Sequence, residues 1–218
     1  MPEIPDSTVV EVPGSGGKVV LLKNLVKSPL ISVGDYTYYT DIDDPSTFET
    51  HNVLYSFGPA KLIIGKFCAI ATGAQFLMPW ANHPSLGVST FPFFIFGGDW
   101  AKQTLDVLPL MAGEDTVIGN DVWIGREAVI MPGVKIGDGA IISTRAFVTT
   151  DVPAYSVVAG NPARLIKRRY EPEEIDLLVR LAWWDWPIEV ITEHARDILT
   201  GTPDQILQIA KDHGLPGD

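Results

Sequence analysis

The middle of the chain repeats its apolar positions every six residues. An aliphatic residue begins each hexad, at Ile118, Ile124, Ile130, Ile136, Ile142 and Val148. A small or β-branched residue follows four places later, at Val122, Ala128, Val134, Ala140, Ala146 and Val152. The same register recurs from Ile64 to Phe76 and, more faintly, from Val33. An amphipathic helix repeats about every 3.6 residues and a half-buried strand about every 2, so neither explains this period.

A hexad provides a short strand and a corner, and three hexads complete one turn of a coil. Each aliphatic residue then stacks on its equivalent one turn away, at about the 4.8 Å spacing of neighbouring strands, and the small residues fill the corners. The predicted fold class is therefore all-β: a parallel β-helix of hexapeptide repeats.

The repeat sets the predicted division of the chain. Residues 1–30 are rich in chain-breaking residues and predict an irregular N-terminal extension. Residues 31–169 predict the β-helix, interrupted at 78–111 by a stretch that lacks the rhythm and that we expect to protrude as an active-site loop. Residues 170–218 predict a helical appendage, because their apolar residues recur at helical spacing and Pro187 can open a helix.

Composition narrows the possible partners. The net charge of −11 argues against nucleic acid or an anionic membrane as the main partner, since both need a surplus of cations on some face. The sequence shows neither a basic leader followed by an apolar stretch nor an apolar run approaching about 18 residues, so we expect a cytoplasmic protein. The single cysteine, Cys68, occupies the small position of its hexad and is expected to be buried and inert.

Loop 78–111 contains the candidate catalytic residue, His83. Functional residues concentrate on loops that project from a rigid scaffold, and an imidazole can take a proton from an attacking hydroxyl near neutral pH. From Met78 to Gly98 the loop has no Asp, Glu, Lys or Arg but many aromatic residues. Such a lining favours a bulky, mostly apolar acceptor with one reactive hydroxyl. The sequence does not indicate which group orients His83.

The other histidines do not predict a metal centre. His51, His194 and His213 are expected to be solvated surface groups, and only His51 lies near the predicted β-helix together with His83. Three histidines or a cysteine cluster would be needed for a catalytic zinc site of the usual kind. We therefore expect no metal.

Several motifs occur in a fixed order along the chain: IIGKFCAIATGAQFLM, ANH, STFPFFIFGGDW, TVIGNDVWIG, VIMPGVKIGDGAII, GNPARLIKRRY and WWDWP. On these motifs the chain resembles the hexapeptide xenobiotic acetyltransferases, and the resemblance runs from about Val33 to Pro187. That family comprises the streptogramin A (virginiamycin) acetyltransferases and the hexapeptide type of chloramphenicol acetyltransferase. The resemblance implies a left-handed coil, against the usual crossover preference, and a homotrimer with active sites at subunit interfaces. It also implies direct acetyl transfer from acetyl-CoA to a hydroxyl.

The resemblance also implies roles for individual residues. His83 matches the catalytic base. The implied acceptor-binding residues are Tyr38, Phe57, Trp80, Asn82, Pro109 and Leu110. The implied acetyl-CoA-binding residues are Trp123, Thr144, Ala159, Asn161, Arg164, Lys167 and Arg168. The last three belong to a cationic patch that suits the CoA phosphates. Two departures concern the acceptor: Phe57 replaces a frequent tyrosine, and Trp80 replaces a glycine and is expected to narrow the entrance.

These features predict O-acetylation of an antibiotic-like acceptor, with streptogramin A first and chloramphenicol second. Two alternatives stay open at this point. One is a hexapeptide acetyltransferase of an endogenous sugar or amino acid. The other is a β-helix without catalytic activity that acts as a scaffold, which gives no role to His83, Trp123 and the cationic patch together.

Overall fold

The computed structural model describes residues 3–216. In chain order its strands are β1 (Val19–Leu21), β2 (Ile31–Val33), β3 (Tyr38–Thr40), β4 (Val53–Leu54), β5 (Leu62–Ile64), β6 (Ala69–Ile70), β7 (Gln75–Leu77), β8 (Thr116–Ile118), β9 (Trp123–Ile124), β10 (Val129–Ile130), β11 (Lys135–Ile136), β12 (Ile141–Ile142), β13 (Phe147–Val148), β14 (Ser156–Ala159) and β15 (Arg164–Arg168). The α-helices are α1 (Leu22–Leu25), α2 (Gly98–Thr104), α3 (Pro172–Leu181), α4 (Ile188–Glu193), α5 (Ala195–Thr200) and α6 (Pro203–Asp212). Short 3-10 turns occupy Pro45–Thr47, Pro79–Ala81, Phe93–Phe96, Leu105–Met111 and Trp183–Asp185, and a π turn occupies Phe48–Asn52.

The strands form three sheets that the chain visits in rotation. Sheet A has the order β1-β3-β6-β9-β12-β14-β15, sheet B the order β11-β8-β5-β2 and sheet C the order β13-β10-β7-β4. Successive strands lie in B, A and C, and strands one turn apart pair in parallel. The antiparallel pairs β1 with β3 and β14 with β15 lie at the two ends of sheet A. This is the predicted parallel coil with three strands per turn.

The aliphatic positions of the hexads stack inside the coil. In sheet A, Ile142 pairs with Ile124 and Ile124 with Ile70, and all three side chains are 0% exposed. In sheet C, Ile130 stacks in the same way on Phe76. Burying an aliphatic side chain of this size contributes about 1.5–3 kcal/mol. The predicted burial pattern of the hexads is therefore confirmed, and it explains the period of six.

Two glycines at the corners allow consecutive turns to approach closely. A Cβ atom added to Gly65 would lie 2.5 Å from the carbonyl oxygen of Gly119, and one added to Gly125 would lie 2.5 Å from the backbone nitrogen of Thr144. Both obstacles are backbone atoms, which cannot move aside without disturbing the next turn. Glycine is required here because the residue has no Cβ.

The fold contains more helix than the all-β prediction implies. Besides the predicted C-terminal helices, α2 lies inside loop 78–111, where Ala101, Lys102 and Gln103 favour helix over any period-six structure. The predicted irregular N-terminal extension also contains β1 and α1, because Val20 pairs with Tyr39 at the end of sheet A. Within residues 3–216, no helix has both the length and the apolar composition needed to span a lipid bilayer.

The C-terminal helices pack together and against the coil. Capping boxes at Glu171 and Thr202 satisfy backbone N–H groups at the starts of α3 and α6. Their shared apolar cluster consists of Leu181, Trp186, Ile191, Ile206, Ile209 and Ala210. Phe67 of the coil contacts this cluster, with its ring centroid 4.9 Å from that of Trp183. The appendage therefore covers one corner of the coil beside sheet A.

Candidate active site

A backbone carbonyl fixes the orientation of His83. The histidine lies just after the Pro79–Ala81 turn, which follows β7. Its Nδ1 lies 2.7 Å from the carbonyl oxygen of Thr90. A carbonyl oxygen can only accept a hydrogen bond, so Nδ1 must carry the proton and Nε2 retains its lone pair. The neutral imidazole is thus held in the tautomer that leaves Nε2 available as a base.

Loop 78–111 is anchored at its base and exposed at its tip. Met78 and Met111, where the chain leaves and rejoins the coil, are buried. Between them, Leu86 is 85% and Phe96 59% exposed. The tip contains an aromatic cluster in which the rings of Phe91 and Phe96 stack with centroids 5.0 Å apart. The loop therefore presents apolar surface beside a fixed base.

A cavity of about 490 Å³ opens beside His83. Asn82 and Leu110, two of the predicted acceptor residues, line it together with His83. Sequence reasoning missed Glu114 and Pro132, which also line it. Glu114 brings a carboxylate to the cavity, and its Oε2 lies 3.4 Å from Nζ of Lys135. Glu114 lies two residues before β8, where the loop rejoins the coil, and this position is the signal in the sequence that could have identified it.

The remaining predicted acceptor residues are not among the described residues that line this cavity. Trp80 packs against Gly58, where an added Cβ would lie 2.0 Å from the indole Nε1, and this buried nitrogen has no hydrogen-bond partner among residues 3–216. Trp80 therefore does not line the cavity beside His83. Phe57 is 76% exposed near that contact, and Pro109 is exposed in the last turn of the loop. Tyr38 faces outward from sheet A.

The predicted acetyl-CoA residues lie along sheet A and at its end. Residues paired across the strands form one outward row: Tyr38, Ala69, Trp123, Ile141, Val157 and Lys167. Trp123 is 55% exposed in this row, with the small Ala69 beside it. Thr144 is exposed at the corner that follows β12. The row joins an exposed aromatic surface to a cationic end.

The cationic end of sheet A is the antiparallel pair β14 and β15. Ala159 pairs with Arg164, and Asn161 lies exposed in the turn between the two strands. Lys167 and Arg168 are exposed on β15. Arg169, the next cation, is instead engaged in the fold, with Nη1 2.7 Å from the carbonyl oxygen of Gly139. Three cations are therefore presented to solvent within five residues.

The base and the row on sheet A lie on opposite sides of one chain. Loop 78–111 leaves the coil after β7 of sheet C and returns before β8 of sheet B. Pro132, which lines the cavity, occupies the equivalent corner one turn further. In a coil with three faces, the corner between sheets C and B lies opposite sheet A, which carries Trp123. Among the described residues that line the His83 cavity, none belongs to a strand of sheet A.

Cys68 does not provide a nucleophile. Its side chain is 0% exposed, and its thiol donates to the carbonyl oxygen of Gly119 across 3.1 Å. Burial raises the pKa of the Cys68 thiol to about 12, so the reactive thiolate is not populated near neutral pH.

Comparison with known proteins identifies the class of protein to which the chain belongs. The family model described as bacterial transferase hexapeptide (six repeats) matches residues 115–150. A protein of Lysinibacillus sphaericus named "Probable macrolide acetyltransferase" is 52% identical over 146 residues, covering 67% of this chain and 81% of that protein. A chloramphenicol acetyltransferase of Agrobacterium fabrum is 46% identical over 175 residues, covering 78% and 82%. A virginiamycin A acetyltransferase of Staphylococcus aureus is 43% identical over 182 residues, covering 83% and 82%.

The chain matches more than four-fifths of the length of each of these relatives. The chain therefore belongs to the hexapeptide-repeat xenobiotic acetyltransferase family. The family predicted from the sequence is confirmed, and so is the predicted class of enzyme, an acetyl-CoA-dependent acyltransferase.

Proposed function

We propose that this enzyme transfers an acetyl group from acetyl-CoA to a hydroxyl of an antibiotic-like acceptor, with His83 as the general base. The observation that carries the proposal is the hydrogen bond from Nδ1 of His83 to the carbonyl oxygen of Thr90. It holds the Nε2 lone pair ready to accept a proton. A buried cysteine and a cavity beside the histidine support direct transfer without an acyl-enzyme.

In the proposed reaction, Nε2 of His83 takes the hydroxyl proton as the acceptor oxygen attacks the thioester carbonyl. The tetrahedral intermediate collapses, the carbon–sulfur bond breaks and the CoA thiolate leaves. The imidazolium returns the proton to the thiolate, so that free CoA and the O-acetyl ester are the products. General-base catalysis of this kind contributes about 10²- to 10⁴-fold in rate, and alignment of the two substrates contributes the rest.

The donor is proposed to bind along the outward row of sheet A. Trp123 offers an exposed aromatic surface to the pantetheine arm, and Thr144 and Ala159 offer backbone groups beside it. The phosphates would lie near Asn161 and the exposed cations of β15. The row crosses sheet A from β3 to β15, so a donor that lies along it would reach from the exposed aromatic surface to the cations.

A donor on sheet A reaches His83 only if the two belong to different chains. We therefore propose a homotrimer in which the loop of one subunit lies against sheet A of the next, with a left-handed coil in each subunit. Closed cyclic symmetry places three identical sites at the three interfaces. The exposed apolar tip of the loop supports such a contact. We place the enzyme in the cytoplasm, where acetyl-CoA is available.

The acceptor is proposed to be a streptogramin A, with chloramphenicol as a weaker substrate. The aromatic cluster at the loop tip and the apolar part of the cavity suit a bulky acceptor with few polar groups. Glu114 adds one carboxylate, but Lys135 pairs with it and reduces its attraction for an ammonium group. Tyr38, Phe57, Pro109 and Trp80 are proposed to contact the acceptor or shape its approach in the assembled trimer.

The acceptor is tested by incubating the enzyme with acetyl-CoA and virginiamycin M, chloramphenicol, a macrolide or an amino sugar. Release of the CoA thiol gives the rate, and mass spectrometry identifies the product. We expect an O-acetyl ester of virginiamycin M with the highest kcat/KM, and no thiol release from an acceptor whose hydroxyl is already acetylated. A higher kcat/KM for the amino sugar would refute the proposed acceptor class.

A further inference from the structure

The C-terminal helices bring two histidines into direct contact. His194 lies between α4 and α5, and His213 follows the end of α6. Their Nε2 atoms are 3.0 Å apart, although the residues are 19 positions apart in the chain. His194 is only 21% exposed. The prediction that both are solvated surface groups is therefore wrong for His194, because the packing of α6 against α5 brings the two rings together.

Glu193 completes a group of three possible metal ligands. Its carboxylate and one nitrogen from each histidine all lie within 4.8 Å of one another. With metal–ligand bonds of about 2.0–2.2 Å and tetrahedral angles, ligand atoms are separated by about 3.3–3.6 Å. The 3.0 Å distance between the imidazole nitrogens is close to this range, so small side-chain rotations suffice to enclose an ion.

The hydrogen bonding of His194 prepares it as a ligand. Its Nδ1 lies 3.2 Å from Oδ2 of Asp197. Since the carboxylate accepts, Nδ1 carries the proton and the Nε2 lone pair faces His213. A carboxylate behind the imidazole of a ligand is the usual arrangement at protein metal sites, because it fixes the tautomer and makes the ligand nitrogen more basic.

We propose that Glu193, His194 and His213 bind a divalent transition-metal ion of the Zn²⁺ class, with Asp197 as a positioning residue. Imidazole and carboxylate ligands suit Zn²⁺, Ni²⁺ and Cu²⁺, and water would fill the fourth position. In the metal-free chain, the Nε2–H group of His213 donates a hydrogen bond to Nε2 of His194. On binding, that proton moves to Nδ1 of His213, and both Nε2 lone pairs face the ion. The bound metal would link the junction of α4 and α5 to the end of α6.

This proposal does not depend on the acetyl transfer and concerns no part of the candidate active site. It is tested on the full chain after dialysis against a chelator. Isothermal titration calorimetry with ZnCl₂ measures stoichiometry and affinity, and Co²⁺ absorption in the visible range reports tetrahedral coordination. We expect one equivalent per chain and a higher melting temperature with the metal, because an ion that binds the folded state stabilises it.

Variants identify the ligands. His194→Gln and His213→Gln are expected to lose the high-affinity equivalent, and Asp197→Asn to weaken binding by about 10- to 100-fold. His51→Gln, a histidine outside the group, is the matched control and should bind as the wild type does. If a histidine variant folds poorly by circular dichroism, Glu193→Gln, which is exposed, replaces it in the test. Absence of binding at millimolar Zn²⁺, or equal binding by His213→Gln and wild type, would show a hydrogen-bonded histidine pair only.

Discussion

The coil and loop 78–111 use the same kinds of apolar residue with opposite results. Ile124 and Ile142 in the coil have no exposed surface, whereas Leu86 and Phe96 in the loop are 85% and 59% exposed. Each coil isoleucine meets its equivalent one turn away, so the repeat buries itself. The loop has no repeated neighbour to cover it. Its apolar residues therefore remain available to an acceptor or to a second subunit, and the catalytic candidate lies among them.

The difference between the coil and the loop predicts that His83→Ala removes activity without affecting the fold. We expect kcat to fall by about 10²- to 10⁴-fold, because the proposed base is lost. The melting temperature should stay at the wild-type value, since His83 is exposed and contributes to no stacked row. His51→Ala is the matched control and should retain full turnover. Turnover near the wild-type value in His83→Ala would assign the base to another residue.

A substitution inside the coil should lower the stability of the fold, unlike the substitution of His83. Ile142→Ala removes a fully buried side chain that lies between Ile124 of β9 and Val158 of β14. We expect the free energy of unfolding to fall by about 2–5 kcal/mol. Leu86→Ala, in the loop, should change it by no more than about 0.5 kcal/mol. Urea denaturation at one protein concentration measures both, and similar losses in the two variants would remove the distinction between coil and loop.

The smallest predicted effect concerns Asp121, at a corner of the coil. Burial raises the pKa of Asp121, Arg169 at 3.8 Å opposes the shift and the neighbouring Asp138 adds to it, and the net pKa is about 6. The folded chain therefore binds a proton more tightly than the unfolded chain, whose carboxyl has its ordinary pKa of about 3.9. The contribution to stability is fully present below about pH 3.9 and is lost as the pH rises through about 6.

Asp121→Asn tests this sign, because Asn keeps the shape without the charge and tolerates the left-handed φ of 53°. A third of the Asp121 side chain is exposed, so solvent screening reduces the effect. We expect the variant to be more stable than wild type by about 1–2 kcal/mol at pH 7.5 and equal to it near pH 4. A less stable variant at pH 7.5 would mean that the ion pair with Arg169 dominates.

The sequence predicted the features that repetition determines. The hexads specified which side chains of the coil are buried, and the loss of rhythm identified loop 78–111. The hydrogen bond from His83 to Thr90 was not predictable, because every residue offers a backbone carbonyl. The approach of His194 to His213 was not predictable either, since it depends on the packing of α6. Trp80 was expected at the entrance, but its contact with Gly58 arises only when the chain folds back on itself.

The central claim is that the base of one subunit acts on a donor bound to sheet A of the next. Co-expression of two inactive chains tests it: His83→Ala, and the double variant Trp123→Ala, Lys167→Ala. When the two chains assemble at random in equal amounts, half of the loops carry His83 and half of the sheets carry the donor residues, so about a quarter of all interfaces are complete. We predict recovery of about a quarter of wild-type activity in the equimolar mixture, with none in either chain alone. No recovery in trimers shown to be mixed would mean that each site forms within a single chain.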